Sequence, residues 1–230
     1  MLSNSDRARI EAAVKAAEDR TRGEIFCIVA HESSDYREVA IGWAAFAALA
    51  APAVLLVAGI QVKVPDLFGA EWTAAQVGAT AEAAARGALA GAILLQALLF
   101  VAVAVLLSVP PLRRLFTPRS LKRERVRQRA REQFLAKDLS ATRERTGVLI
   151  YVSQSERMAE LIADEGVAAK VDPKVWHDAM ARLVGGVKRR NPAEGFEQAI
   201  GLCGAILAEH FPADPGDNPN ELSDAVVELP

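Results

Sequence analysis

The chain of 230 residues carries 27 Lys and Arg against 29 Asp and Glu, and 51% of it is hydrophobic. That share is high for a soluble protein, and two charge-free stretches supply the excess while leaving enough chain for one domain with a real core. The only cysteines, Cys27 and Cys203, each sit in an apolar segment, which excludes a disulfide framework and reads as reduced core thiols in a cytoplasmic domain.

In chain order, the opening MLSNSDRARIEAA has no apolar h-region, so no cleavable signal peptide is expected. Ser3, Asn4 and Ser5 offer N-caps for a helix over about Asp6 to Arg20, with Ile10, Ala13, Val14 and Ala17 on one face. Gly23 ends it. Glu24 to Ala30 is a short, nearly continuous apolar run with β-branched residues, which reads as a buried strand. A polar turn, residues 31–35, follows.

Two runs, Val39 to Val62 and Gly87 to Leu112, then contain no charged residue. At 1.5 Å rise per residue each is long enough for a hydrocarbon core of about 30 Å. The second is dense in Leu, Ile, Val and Phe. The first is richer in Ala, carries Pro52 at its middle and is the weaker span, inserting as the partner of the second. Spans are expected over about 39–62 and 87–109, joined by a loop at 63–86.

Between Arg113 and Arg131 there are nine Lys or Arg residues and one acid, Glu124. By the positive-inside rule the 63–86 loop faces out, and both termini lie in the cytoplasm. The expectation is a multi-pass protein of the cell inner membrane. Arg113, Arg114, Arg119, Lys122 and Arg123 read as an anionic-lipid contact and topology signal in preference to a nucleic-acid surface. Trp43, Phe68 and Trp72 suit interfacial positions. Gly87-x-x-x-Gly91 marks close helix packing, inside the hairpin or between protomers as a homo-oligomer contact.

Pro110, Pro111 and Pro118 mark the exit, and a helix over about Arg119 to Leu139 leads to a second buried strand, Val148 to Val152. Strand, crossover, helix and strand make a βαβ unit with two parallel neighbours. Because the crossover contains the hairpin, the carboxyl edge of the sheet is expected to face the membrane. A third strand runs from Met158 to Ala163, and Val167 to Val171 reads as extended. Asp172-Pro173 and Asn191-Pro192 each place an N-cap before a proline at the first helical position and open two further helices. The tail from Ala213, rich in Pro, Asp and Glu, reads as loosely ordered. The expected organisation is therefore residues 1–35 and 113–212 as one α/β domain, 36–112 as a membrane hairpin, and 213–230 as an acidic tail.

Several blocks together resemble the TPM domain family, which includes thylakoid lumen and photosystem II repair proteins and bacterial membrane proteins. They are Glu18-x-x-Thr21-x-Gly23-Glu24 before the first strand, GVLIYVS followed by Glu156-Arg157 and the Asp164-Glu165-Gly166 turn, VDPKVWHDAMARLVGG, and the ending NPNELSDAVVEL. The resemblance covers nearly everything outside the hairpin. It implies an α/β sandwich around a small mixed sheet flanked by helices, here interrupted by the hairpin. It further implies an acid-phosphatase activity, divalent-cation binding or partnership with membrane complexes, each attributed to some members. Many members carry a span after the domain, whereas here the hairpin interrupts it. The acidic turn often found ahead of the first helix is replaced by Ser3-Asn4-Ser5-Asp6.

Ligands of open α/β sheets favour the carboxyl ends of the strands. There the sequence places Glu32, Ser34 and Asp35 after the first strand, and Ser153 and Glu156 after the second. Glu32, Asp35 and Glu156 are hard oxygen ligands of the type that hold Mg²⁺ or Ca²⁺; the plainer alternative is solvated loop residues beside a membrane. Asp164 with Glu165 forms a second acidic pair, and Asp138 is a third candidate. His31, His177 and His210 lack zinc-ligand spacing, and there is no G-x-S-x-G, P-loop or G-x-G-x-x-G. The expected function is a membrane-anchored protein- or lipid-interaction module docking a membrane-protein partner. The alternative is a metal-dependent phosphatase-like hydrolase at the same edge.

Overall fold

The computed structural model describes residues 2–59, 80–189, 191–214 and 220–230. The chain divides into two compact units, Met1–Ser34 with Pro118–Pro230, and Asp35–Thr117. Asp35 and residues 113–117 therefore belong with the hairpin, not with the α/β unit to which the sequence reading assigned them.

In the α/β unit, α1 (Asn4–Glu18) is capped by Ser3, whose side chain accepts from the Asp6 N–H while the Asp6 carboxylate accepts from the Ser3 N–H. This reciprocal cap satisfies two of the first-turn donors. Strand β1 (Glu24–Ala30) follows, and after the hairpin come α5 (Arg119–Ala136), a 3₁₀ turn at Leu139–Ala141, and β2 (Gly147–Ser153). Then come β3 (Met158–Ala163), α6 (Glu165–Ala168), α7 (Pro173–Lys188), α8 (Pro192–His210) and β4 (Val227–Leu229). In place of the expected extended run at 167–171 the chain ends a single helical turn, α6, at Ala168 and turns through 169–171, because the Asp164 side chain caps that turn by accepting from the Glu165 N–H at 2.7 Å.

The sheet is mixed, in the order β3-β2-β1-β4. β1 and β2 are parallel from Glu24 opposite Gly147 to Ala30 opposite Ser153, β3 returns antiparallel to β2, and β4 runs parallel to β1. Every residue of β1 and β2 is buried, as a strand covered on both faces requires. Ile25, Cys27, Val29, Val148, Ile150 and Val152 join the core formed with α1, α7 and α8. The alternate residues Phe26, Ile28, Ala30, Leu149 and Tyr151 pack with Val126, Ala130 and Phe134 of α5.

The tail is a correction to the sequence reading. Residues 227–229 form β4 on the open edge of β1, and the His31 N–H donates to the Leu229 carbonyl at 2.9 Å. Leu222, Val227 and Leu229 pack on the α5 side of the sheet. Acidic and proline residues dominate the tail's composition, but its last apolar stretch meets a strand edge in need of a partner.

The hairpin unit holds α2 (Arg37–Val57), α3 (Thr80–Ser108) and α4 (Pro110–Phe116). α2 and α3 pack together, and the Trp43 indole N–H of α2 donates to the Phe116 carbonyl of α4 at 3.0 Å. The unit therefore leaves and returns at one place. Both α2 and the segment Gly87–Ser108 are long and apolar enough to cross a membrane, with mean hydropathies of 2.1 and 2.7. Residues 60–79, with Phe68, Trp72 and most of the expected loop, lie outside the described residues. Among the described residues a Cβ on Gly87 would meet nothing within 4 Å.

α7 and α8 cross backbone on backbone. A Cβ on Gly186 would lie 2.5 Å from the Gly195 Cα, and one on Gly195 would lie 2.8 Å from the Leu183 carbonyl oxygen. Gly195→Ala is expected to force the helices apart and cost about 1–3 kcal/mol. Gly201→Ala, in the same helix but facing open space, should be neutral or stabilising by about 0.5–1 kcal/mol. Denaturant midpoints of the two variants check this.

Candidate functional site

The parallel register of β1 and β2 brings their carboxyl ends side by side at Ala30 and Ser153. Beyond them the Gln154 N–H donates to the Ala30 carbonyl and the Ser155 N–H to the His31 carbonyl, both at 3.0 Å. Arg157 adopts φ 53°, the left-handed conformation that lets the β2–β3 turn close. The turn then carries Glu156 back over the strand ends.

Glu156 is the centre of this edge. Its carboxylate accepts from the Ser33 N–H at 3.3 and 3.4 Å and from the Ser153 hydroxyl. The Ser33 hydroxyl in turn lies 3.1 Å from the Tyr151 hydroxyl. Burial raises the Tyr151 pKa, an effect the Ser33 hydrogen bond opposes. The arrangement is a carboxylate that ties the loop after β1 to the turn after β2. Ser153 is fully buried and its partner is a carboxylate, without the imidazole that activates a serine nucleophile.

The other predicted residues divide around this edge. Glu32 and Ser34 lie in the same half-buried loop. Asp35 belongs to the hairpin unit, where it pairs with Arg37 at 2.8 Å. Asp164 sits at the opposite end of β2, since its N–H donates to the Gly147 carbonyl. At about 3.3 Å per strand residue, that is on the order of 20 Å from Ser153. Asp164 therefore shares no site with Glu32. Among the described residues its buried Oδ2 has no hydrogen-bond partner. Asp138 takes φ 51° before the 3₁₀ turn. Arg113 and Arg114 lie in the last turn of α4, and Arg119, Lys122 and Arg123 open α5. Among the described residues no group of three or more His, Cys, Asp or Glu is arranged to hold a metal ion.

A second acidic centre, assigned no role from the sequence, lies at the other end of β1. Glu24 is 5% exposed and accepts from the Glu221 and Leu222 N–H groups, each at 3.2 Å. Glu18 accepts from the Ile25 N–H at 2.7 Å and hydrogen-bonds the Asp224 side chain. Burial, with the Glu24 and Asp224 charges beside it, pushes the Glu18 pKa up to about 8. An open groove of about 530 Å³ runs between α1 and this tail segment, lined by Glu11, Lys15, Asn220 and Asp224. The sequence did carry a signal: Glu24 is the one charged residue in an otherwise apolar strand, beside Glu18 in the same motif.

With this geometry in hand, the fold finds a counterpart among solved structures. The chain is similar to the NMR structure of the BA42 protein from the psychrophilic bacterium Bizionia argentinensis, with a TM-score of 0.55 and 16% identity. The match covers 99% of this chain and 95% of that one, and at this identity it establishes likeness of fold alone. No protein-family model and no curated protein matches the chain.

Two predictions follow from the two carboxylate centres. Glu156→Ala removes the acceptor from the Ser33 N–H and the Ser153 hydroxyl, and should cost about 1–3 kcal/mol while accelerating hydrogen exchange at Ser33. For Glu18, the folded pKa of about 8 lies above the ordinary 4.5, so the folded chain holds the proton more tightly. Its contribution to stability is complete below pH 4.5 and is lost as the pH rises through about 8. Thermal midpoints should therefore fall across that window, and Glu18→Gln should flatten the fall.

Proposed function

We propose that this chain is a membrane-anchored docking module of the TPM type. α2 and α3 cross the inner membrane, both termini lie in the cytoplasm, and the α/β unit presents the loops at 31–34 and 153–157 to a membrane-protein partner. The observation that carries the anchor is exposure. Only 22% of the apolar window in α2 and 6% of that in Gly87–Ser108 is buried, whereas a core helix of a soluble protein would be mostly covered. Leu56 and Val57 are 82% and 88% exposed, which favours lipid over water around them. The basic residues after α3 support the orientation.

Docking is preferred over catalysis because the polar groups at the strand ends are spent on one another. Glu156 receives the Ser33 N–H and the Ser153 hydroxyl, leaving a preformed loop instead of a free base. A preformed surface loses little entropy when it binds.

A reporter fused after Pro230 should be active only in its cytoplasmic form, and a periplasmic signal would reverse the orientation. A photocrosslinker at Glu32 or Ser34 should capture a membrane protein in intact membranes, and Glu156→Ala should lower the yield by loosening the loop. Divalent-metal-dependent turnover of a phosphate monoester, lost in Glu32→Ala, would instead favour the hydrolase.

A further inference from the structure

We propose that Arg119, Arg123, Arg127 and Arg131 form a cationic face along α5 that docks on the headgroups of an anionic phospholipid bilayer, well beyond the short basic flank behind the second span. The proposal rests on the reading of α2 and α3 as membrane spans. Residues four apart share a helix face, so these four guanidinium groups make one stripe covering about 18 Å of helix. All four residues are exposed. Val126, Ala130 and Phe134, each three residues on from Arg123, Arg127 and Arg131, turn the adjoining face of α5 to the sheet, so the stripe runs along the exposed flank of the helix beside β3.

The acids around the stripe are too few to neutralise it. Glu160 of β3 pairs with Arg127 at 3.7 Å and also feels Arg123 and Arg131, one carboxylate among three guanidinium groups. Glu132 is engaged with Arg129 at 3.2 Å, and Glu124 is the remaining acid of the helix. Among the described residues Arg119, Arg123 and Arg131 have no ion pair. Like charges at this spacing disfavour a helix in water, and an anionic counter-surface removes that repulsion.

Two features select a bilayer over a nucleic acid. Pro118 alone separates Arg119 from Thr117, where the hairpin unit ends, so the stripe is tethered at its start to the spans. A surface for single-stranded nucleic acid would add exposed aromatic rings for stacking, and the only ring on α5, Phe134, is buried. Each arginine near an anionic leaflet raises partitioning about fivefold, and the attraction decays over about 10 Å at 0.1 M salt.

The test uses the full chain reconstituted in vesicles, with Gln128→Cys carrying a fluorescent donor and an acceptor on the lipid headgroups. Cys27 and Cys203 are buried with raised pKa values and leave residue 128 as the reactive thiol. Energy transfer should be higher in vesicles containing phosphatidylglycerol than in pure phosphatidylcholine, and should fall as salt is added. R123Q/R127Q/R131Q should abolish the lipid dependence by weakening docking on the order of a hundredfold, and R123K/R127K/R131K should retain it. Equal transfer in both vesicles, from a chain that resists alkaline extraction, would overturn the stripe while leaving the spans intact. A chain released by alkali would overturn the span reading and the stripe with it. Tight binding of homopolymeric RNA without lipid dependence would reassign the stripe and overturn the proposal.

Discussion

The parallel pairing of β1 with β2 is the constraint on which the rest of the molecule depends. The two strands are separated in sequence by residues 31–146, yet they register residue for residue from Glu24 to Ala30. Closing so long a segment costs entropy, but the cost grows only with the logarithm of its length. An insertion is tolerated when it returns the chain to where it departed, and the Trp43–Phe116 contact shows that the hairpin unit does so. α5 then completes the crossover by covering the face of the sheet that holds Phe26, Ile28, Leu149 and Tyr151.

Carboxylates secure both ends of this strand pair in different ways. At the carboxyl end Glu156 accepts hydrogen bonds from the loop after β1 and from the last residue of β2, and so ties the two together. At the amino end Glu24 and Glu18 hold backbone N–H groups of the tail and of β1, and Glu18 retains its proton because it is half-enclosed beside two other acids. A buried carboxylate without partners costs several kcal/mol. Each of these three has found N–H or O–H donors, so the acids act as ties and the sheet gains a fixed boundary at either end.

The hairpin imposes a division of labour. Its helices keep their apolar residues exposed, while the α/β unit buries nearly all of its own around the sheet. The polar features of the α/β unit described above therefore lie in the loops, the tail groove and the exposed flank of α5. Those three places carry the Ser33–Glu156 tie, the Glu18–Asp224 pair and the arginine stripe.

Local pattern alone determined the identity and bounds of β1 and β3, the Asp172-Pro173 and Asn191-Pro192 helix starts, the parallel β1–β2 relation and the two long apolar helices. All but the strand relation depend on neighbours a few residues apart, so composition and spacing carry the information; the β1–β2 relation follows from the strand, crossover, helix and strand order of the elements. Only the tertiary structure decided that Val227–Leu229 would pair with Ile28–Ala30, that Asp35 would fall in the hairpin unit and pair with Arg37, and that Glu18, Glu24 and Asp224 would meet. These depend on an open strand edge and on burial supplied by elements far along the chain. A short acidic tail has no means of declaring such partners in its own sequence. The order of the strands, and hence which carboxylate ends up beside which donor, is set by long-range packing.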